Sequence, residues 1–547
     1  MSNKSIRSLL QSLHIDREVG KTNNILAIRM VVAAIFFAVA VLVKMPTVVR
    51  IVLLAVSLII SGFDLLIDAV NSVERKDFFA TSLILISSAV IAFVIGYAAE
   101  GAALVLVYQV GLIALSFVDR KTRKTASDML DDCDEDISAS LKEIIKEKEP
   151  CELRLSDTIL HNGGRILKYT MVLALVYAIV LPFLGDYNYR VSIHRALMIL
   201  LVCTPASLIA AMPLTALIAI CFAGQQGIVF RKASAMEDAA STNVAVFDKT
   251  GVFSEGEPHI LSIQSNLIDQ RTFMNFAAHA VYYSEQPFAR AISAAYNSDY
   301  KLDVISDFKE IPGSGVELNV AGNPVVLASG TYFTEKGVRI PQDRPENGAA
   351  YYMTVAGRYV GQIVVSDSLN DGARQLADDM HELGIQRCVL FTEDENAESE
   401  RFGDMLNFHE VYGECDTEKK LQLLSEMAQN TQNHTMYVYA NGFEAHSGAD
   451  VDVRISKKGK YADALIPADK LDRLPFAIQI CRRMYEIATE NAVLAFAVKA
   501  ILIFLSMIGY SSLWFVVFMD FAAAIATQLH ASRVTSDSLI NTIKNRR

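Results

Sequence analysis

The chain has 547 residues, of which 52% are hydrophobic, and its mean hydropathy is +0.29. The formal net charge of −11 gives no support to a nucleic-acid partner, which would call for a basic footprint. Seven cysteines lie at 133, 151, 203, 221, 388, 415 and 481 with no CxxC pair, so neither a disulfide framework nor a zinc finger is expected.

Residues 1–24 are polar, without the apolar stretch of a cleavable leader and without a Cys-rich or His-rich metal-binding module. Four apolar runs of spanning length follow: Ile25–Val43, Val48–Val70, Phe78–Tyr97 and Ala102–Val118. Gly62 predicts a kink in the second, with the tail carrying Asp64 and Asp68 turned along the interface. The basic cluster Arg120 to Lys124 puts that end of the fourth run in the cytoplasm. Residues 119–165 are polar and mixed in charge. A short helix over Ser138–Lys148 fits the pattern, but a solvated linker is the stronger expectation, and the segment is short for an independent domain. Tyr169–Leu184 is a fifth span. Arg195–Ala223 is a sixth, interrupted by Pro205 and Pro213, which free backbone carbonyls where a transporter can place an ion.

The block from Ile228 to Met484 alternates strand-like and helix-like runs, which predicts a parallel sheet with crossover helices. Its leading strand is Val244 to Phe247, ending on Asp248, the carboxyl end at which open α/β sheets place reacting groups. An aspartate there, followed by Lys249, Thr250 and Gly251, suits covalent capture of a phosphoryl group whose oxygens the next amides cradle. Further strands are expected at Val364-Val365, leading to Asp367, at Cys388–Phe391 and at Met436–Tyr439, with a helix over Asp371–Leu383. An insert with its own hydrophobic pattern lies between about Gly256 and Gly361. Ala492–Ile508 and Leu513–Leu529 complete eight spans, and the basic tail 532–547 places both termini inside.

Asp248-Lys249-Thr250-Gly251 resembles the phosphorylation signature of P-type ATPases, pumps with a haloacid-dehalogenase-like catalytic domain, and the layout resembles their heavy-metal (zinc/cadmium/lead) branch. Glu100-Gly101-Ala102-Ala103 is similar to the start of that branch's fourth span, and Val202 to Leu208 to its proline motif. Ser284-Glu285-Gln286-Pro287 resembles the nucleotide-domain Ser-Glu-His-Pro motif, and Gly313-Ser314-Gly315-Val316 the glycine-rich nucleotide turn. The resemblance puts Thr392 and Lys420 around the aspartyl phosphate, and matches Lys499 and Asp520 to the branch's intramembrane Lys and Asp. It implies a polytopic α-helical membrane protein with a cytoplasmic phosphorylation domain (228–256 and 361–485) and an inserted α+β nucleotide-binding-like domain (257–360). Spans would occupy 25–118, 166–227 and 486–531 of a bacterial plasma-membrane protein embedded in the lipid bilayer. Catalytic residues would be Asp248, Lys249, Thr250, Thr392 and Lys420. Glu285, Gln286, Gly313 and Gly315 would hold ATP. Asp248, Thr250, Asn441 and Glu444 would hold Mg2+, and Cys203, Thr204, Pro205, Lys499 and Asp520 would line the path of a zinc-like divalent cation.

The departures from that pattern are specific. Residues 119–165 stand where the family has an actuator domain, and no Thr-Gly-Glu occurs in the chain. Thr204 and Ala206 flank Pro205 where thiolates are usual, and on a helix Cys203 points about 100° away from residue 204. The magnesium motif reads Ala440-Asn441-Gly442-Phe443-Glu444-Ala445, with an amide for its carboxylate, which weakens binding of a hard cation even if Glu444 compensates in part. Gln286 replaces a His, and Asn370 an Arg in the element beginning at Asp367. Three readings follow. The first is a degenerate pump-like protein without the normal ATP-hydrolysis cycle, binding nucleotide or a divalent cation or regulating a partner. The second is an active metal transporter with a reduced mechanism or an actuator supplied by a partner protein. The third, weakest, is a membrane-tethered phosphatase.

Overall fold

The computed structural model describes residues 19–76, 80–131, 133–146, 153–184, 188–202, 212–311, 313–340, 348–369, 373–394, 396–408, 410–440, 446–456 and 462–535. Contacts divide the chain into two compact units, Met1–Ser241 with Phe476–Arg547, and Thr242–Pro475.

The first unit is helical. Among the described residues, four helical stretches are, by length and composition, long and apolar enough to cross a membrane: Thr47–Glu74, Ala98–Asp131, Ala468–Ile508 and Leu513–Thr535. Leu26–Leu42, Thr81–Val94, Tyr169–Phe183 and Pro213–Gln225 are shorter apolar segments, so among the described residues four of the eight expected spans meet that criterion. Small side chains let these helices approach closely. Ala33, Ala89, Ala92 and Ala102 are buried, and the Ser57 hydroxyl donates to the Ala33 carbonyl at 2.8 Å.

Several expectations change here. Thr47–Glu74 runs as one continuous helix through Gly62, where a break was expected. A Cβ at Gly62 would lie 3.1 Å from Val105, and the glycine serves close helix packing instead. The third apolar helix ends at Val94 rather than Tyr97, because Gly96 (φ +93°) reverses the chain while the Tyr97 N–H donates to the Ala92 carbonyl. The described residues of the sixth run lie in the helices Tyr189–Val202 and Met212–Gln225.

The expected solvated linker is also corrected. The fourth run continues as helix to Asp131, well beyond Val118, and the fifth begins at Arg154, well before Tyr169. Between them lies the helix Glu135–Lys146, whose Ile137, Ser138 and Leu141 are buried. Leu141 fills the space that a side chain at Gly224 would need, since a Cβ there would meet its Cδ1 at 2.3 Å. The start of Arg154–Leu184 is capped from a distance. The Arg154 and Leu155 N–H groups donate to the Glu237 carboxylate at 2.5 and 3.0 Å, as helix N-termini favour anions. Burial pushes the Glu237 carboxyl above its ordinary range, against the pull of those two N–H groups.

The second unit holds two sheets. In the first, parallel strands run in the order Ala464–Ile466, Val451–Ile455, Thr435–Tyr439, Val244–Asp248, Arg387–Phe391, Glu410–Tyr412. Val244–Asp248 and Thr435–Tyr439 are buried throughout, as strands covered on both faces must be. The chain moves outward from Val244–Asp248 on one side, then returns to build the other, so a topological switch point lies beside this strand. Phe247, Phe253 and Phe408 pack at centroid separations of 5.4–5.6 Å under its carboxyl end.

The second sheet is antiparallel, in the order Ser254–Ser265, Arg358–Leu369, Ala349–Val355, Asn323–Ser329, Gly315–Val320, Ile305–Ile311. Helices Gln270–Val281 and Pro287–Ala295 cover it, burying Phe273 and Phe288 against Val316, Leu318 and Leu327. Asp269 caps the first of these helices by accepting from the Thr272 N–H. Val364-Val365 therefore sits in an antiparallel strand that carries on through Asp367 to Leu369, not in the parallel sheet. Residues 256 and 361 both fall inside long strands of this sheet.

Candidate functional site

Asp248 ends its strand opposite Phe391 and is buried. Lys420, on the helix Thr417–Gln429, reaches it from across the sheet. That helix is capped by Asp416, whose carboxylate accepts from the Lys419 N–H at 2.8 Å. The Lys420 ammonium donates to both oxygens of Asp248, at 3.1 and 3.2 Å, and to Glu393 Oε1 at 3.2 Å. Burial pushes the Asp248 carboxyl above its usual range, against the pull of Lys420. Burial also disfavours the Lys420 ammonium, but Asp248 and Glu393 outweigh it and hold its pKa above the ordinary lysine value.

Thr392 follows Phe391 directly and is anchored on both sides. Its N–H donates to Tyr412 and its carbonyl accepts from Cys415. Its hydroxyl donates to Asp394 Oδ2 at 2.8 Å, and Lys249 forms an ion pair with the same carboxylate while lying over the Phe402 ring. Lys249 is thus directed to Asp394, and Thr250 is exposed. Sequence reasoning missed Glu393 and Asp394. The signal was two adjacent acids directly after an apolar strand and Thr392.

On the antiparallel sheet the structure gathers part of the expected nucleotide group. Gln286 Nε2 donates to Glu310 Oε1 at 3.1 Å and to the Ile311 carbonyl at 3.2 Å, at the strand end that leads to Gly313. Ser284 donates to the same Glu310 oxygen, and Glu285 is exposed. Gly313 (φ +70°) has open space around its missing side chain. At Gly315 (φ +151°) a Cβ would meet the Leu327 carbonyl oxygen at 2.2 Å. Gly315→Ala should therefore destabilise this unit by about 1–3 kcal/mol through overpacking and strain. Gly313→Ala should cost only about 1 kcal/mol or somewhat more, for the backbone angle alone. Thermal melting of the two variants side by side checks the ranking.

In the helical unit, Lys499 and Asp520 are both buried and form an ion pair at 2.7 Å. Lys499 also donates to the Val202 carbonyl at 3.0 Å, at the end of Tyr189–Val202. Cys203, Thr204 and Pro205, expected along the same path, lie outside the described residues, as do Asn370, Asn441 and Glu444. One further cluster, His446, Asp452 and Asp463, draws its ligand atoms within 4.8 Å of one another. Asp452 there accepts from the Ser447 N–H and from the His446 ring, contacts that also fix the local turn.

A parallel sheet with a buried aspartate at the carboxyl end of its switch-point strand, held by a lysine from a later helix, defines a haloacid-dehalogenase-like domain. It is carried here in one chain with an apolar helical unit. The family model for haloacid dehalogenase-like hydrolases matches residues 242–438. A cadmium, zinc and cobalt-transporting ATPase of Bacillus subtilis (strain 168) is 23% identical, covering 93% of this chain and 86% of that protein. A zinc-transporting ATPase of Synechocystis is 26% identical over 66% of this chain, and the match spans only 52% of its own length. A solved zinc-transporting PIB-type ATPase superposes with a TM-score of 0.60 at 16% identity, covering 93% of this chain and 100% of that one. A zinc-transporting PIB-type ATPase solved in a second state gives 0.52 at 17% identity. Over nearly its whole length the chain is thus similar to heavy-metal-transporting P-type ATPases.

Proposed function

We propose that this is a heavy-metal P-type ATPase-like membrane protein that does not run the ordinary ATP-hydrolysis cycle, and that binds a divalent cation or nucleotide in a regulatory, partner-dependent role. The reading assigns it eight spans, counting the four shorter apolar helices, with both termini in the cytoplasm. The observation that carries it is the connection between Ala98–Asp131 and Arg154–Leu184. Its described residues form one helix, Glu135–Lys146, docked on Gly224, where a domain that swings against the aspartate would need at least about 50 residues. The chain also lacks the Thr-Gly-Glu element that orients water on the aspartyl phosphate in the pumps it resembles.

The described residues also fit a magnesium ion poorly. Lys420 takes up the Asp248 oxygens and Glu393 Oε1, and Lys249 with the Thr392 hydroxyl takes up Asp394, so a dication must displace ammonium groups to bind. ATP phosphates, which rely on such an ion for charge neutralisation, lose that support here. In the helical unit, Lys499 and Asp520 support a cation path. Asp520 with the Val202 carbonyl offers oxygen ligands, which favour a harder ion than thiolates would.

A second reading keeps an active divalent-metal transporter whose actuator function comes from a partner protein. The Asp248–Lys420 and Lys499–Asp520 pairs favour it, because each retains a costly buried charge. Steady-state ATP hydrolysis by the purified protein in lipid separates the two readings, with Asp248→Asn as the control. Rates equal in both proteins are expected. In the second reading the wild type hydrolyses ATP once the partner is added and the variant does not.

A further inference from the structure

Lys420 carries three N–H donors, and carboxylates take all three. Two contacts, at 3.1 and 3.2 Å, go to Asp248, and the third, at 3.2 Å, goes to Glu393. The two carboxylates are held very differently. The side chains of Lys420 and Asp248 are 6% and 8% exposed, whereas that of Glu393 is 70% exposed. The residues on either side of Glu393 are fixed. Thr392 is pinned by the Tyr412 and Cys415 backbone, and Asp394 by Lys249, by the Thr392 hydroxyl and by the Glu414 N–H on its carbonyl. Glu393 thus stands on a rigid turn at the mouth of the site, its carboxylate in contact with the buried lysine.

An anion approaching Asp248 needs this ammonium, since the aspartate itself repels it. Asp248 cannot leave without stranding a buried charge. Glu393 can, because an exposed ion pair is worth at most about 1 kcal/mol and its carboxylate rehydrates on turning outward. Resting on the reading of Asp248 and Lys420 as a phosphoryl site, we infer that Glu393 is a displaceable carboxylate that occupies the anion subsite on Lys420 and competes with a phosphate or phosphoryl oxygen for it. The site is then held closed to weakly bound anions by its own chain. An anion must displace Glu393 and must overcome its charge.

The experiment measures binding of inorganic phosphate and, separately, of phenyl phosphate to the full chain in lipid nanodiscs by 31P NMR line broadening. It compares wild type, Glu393→Gln, Glu393→Ala and Lys420→Met. Removing the competing charge should tighten binding roughly tenfold in both Glu393 variants, and Lys420→Met should abolish it. A gain for inorganic phosphate alone assigns the subsite to the free ion. A gain for both ligands assigns it to a phosphoryl group. Lys420-dependent binding that Glu393→Gln and Glu393→Ala leave unchanged or weaken overturns the role of Glu393 while sparing the anion site. Absence of Lys420-dependent binding in every protein overturns both.

Discussion

Lys499→Ala should cost the helical unit about 3–5 kcal/mol, the largest effect expected of any single substitution in that unit, because it leaves Asp520 buried without its counter-charge. The ammonium also satisfies the Val202 carbonyl at the end of Tyr189–Val202, so the same change frees a backbone acceptor beside the expected ion path. Asp520→Ala should cost a comparable amount by stranding the ammonium. The double variant Lys499→Met/Asp520→Leu should recover most of the loss, since neither charge then remains in an apolar surround. Unfolding in detergent, followed by the melting point of purified protein, measures all three. Single variants as stable as wild type would mean that the pair is open to water and not buried as described.

The second large effect belongs to Asp248 and Lys420. Lys420→Met should destabilise the Thr242–Pro475 unit by about 3 kcal/mol or more, since the Asp248 carboxylate then loses both of its ammonium contacts inside a buried strand end. Asp248→Asn should cost less, because Glu393 still faces the ammonium. The double variant should fall well short of the sum. The coupling reads the direct contact, and a double-mutant cycle from denaturant unfolding gives its size. Strict additivity would show that the two groups do not touch in solution.

Some of this molecule is legible in its sequence, for identifiable reasons. Val244 to Phe247 is apolar throughout, and a carboxylate at its end stands out against such a run, so the strand and the buried aspartate that ends it could be read together. Lys499 and Asp520 are equally visible, because charge inside an apolar helix has few places to go but to its opposite. Other features depend on contacts distant in the chain. The helix Glu135–Lys146 looks solvated because most of its surface is charged, and only its docking against Gly224 explains the burial of Leu141. The early start of Arg154–Leu184 rests on Glu237, more than eighty residues away. Gly62 suggests a kink by residue type, yet its use is set by Val105 on another helix. The strand at Val364-Val365 is apolar in either orientation, and hydrophobicity says nothing about whether its neighbour runs parallel or antiparallel. Glu393 shows in the sequence only as one of two acids after Thr392, and its meaning comes from its contact with Lys420.

The proposed function requires that a phosphoenzyme-type scaffold persist here without completing the hydrolysis cycle. The direct test is phosphate release at steady state by the purified chain in lipid with Mg2+, ATP and Zn2+, compared with Asp248→Asn. Rates that are indistinguishable between the two proteins, with or without the metal, are the expected result. Sustained, zinc-stimulated hydrolysis by the wild type that Asp248→Asn abolishes would contradict it.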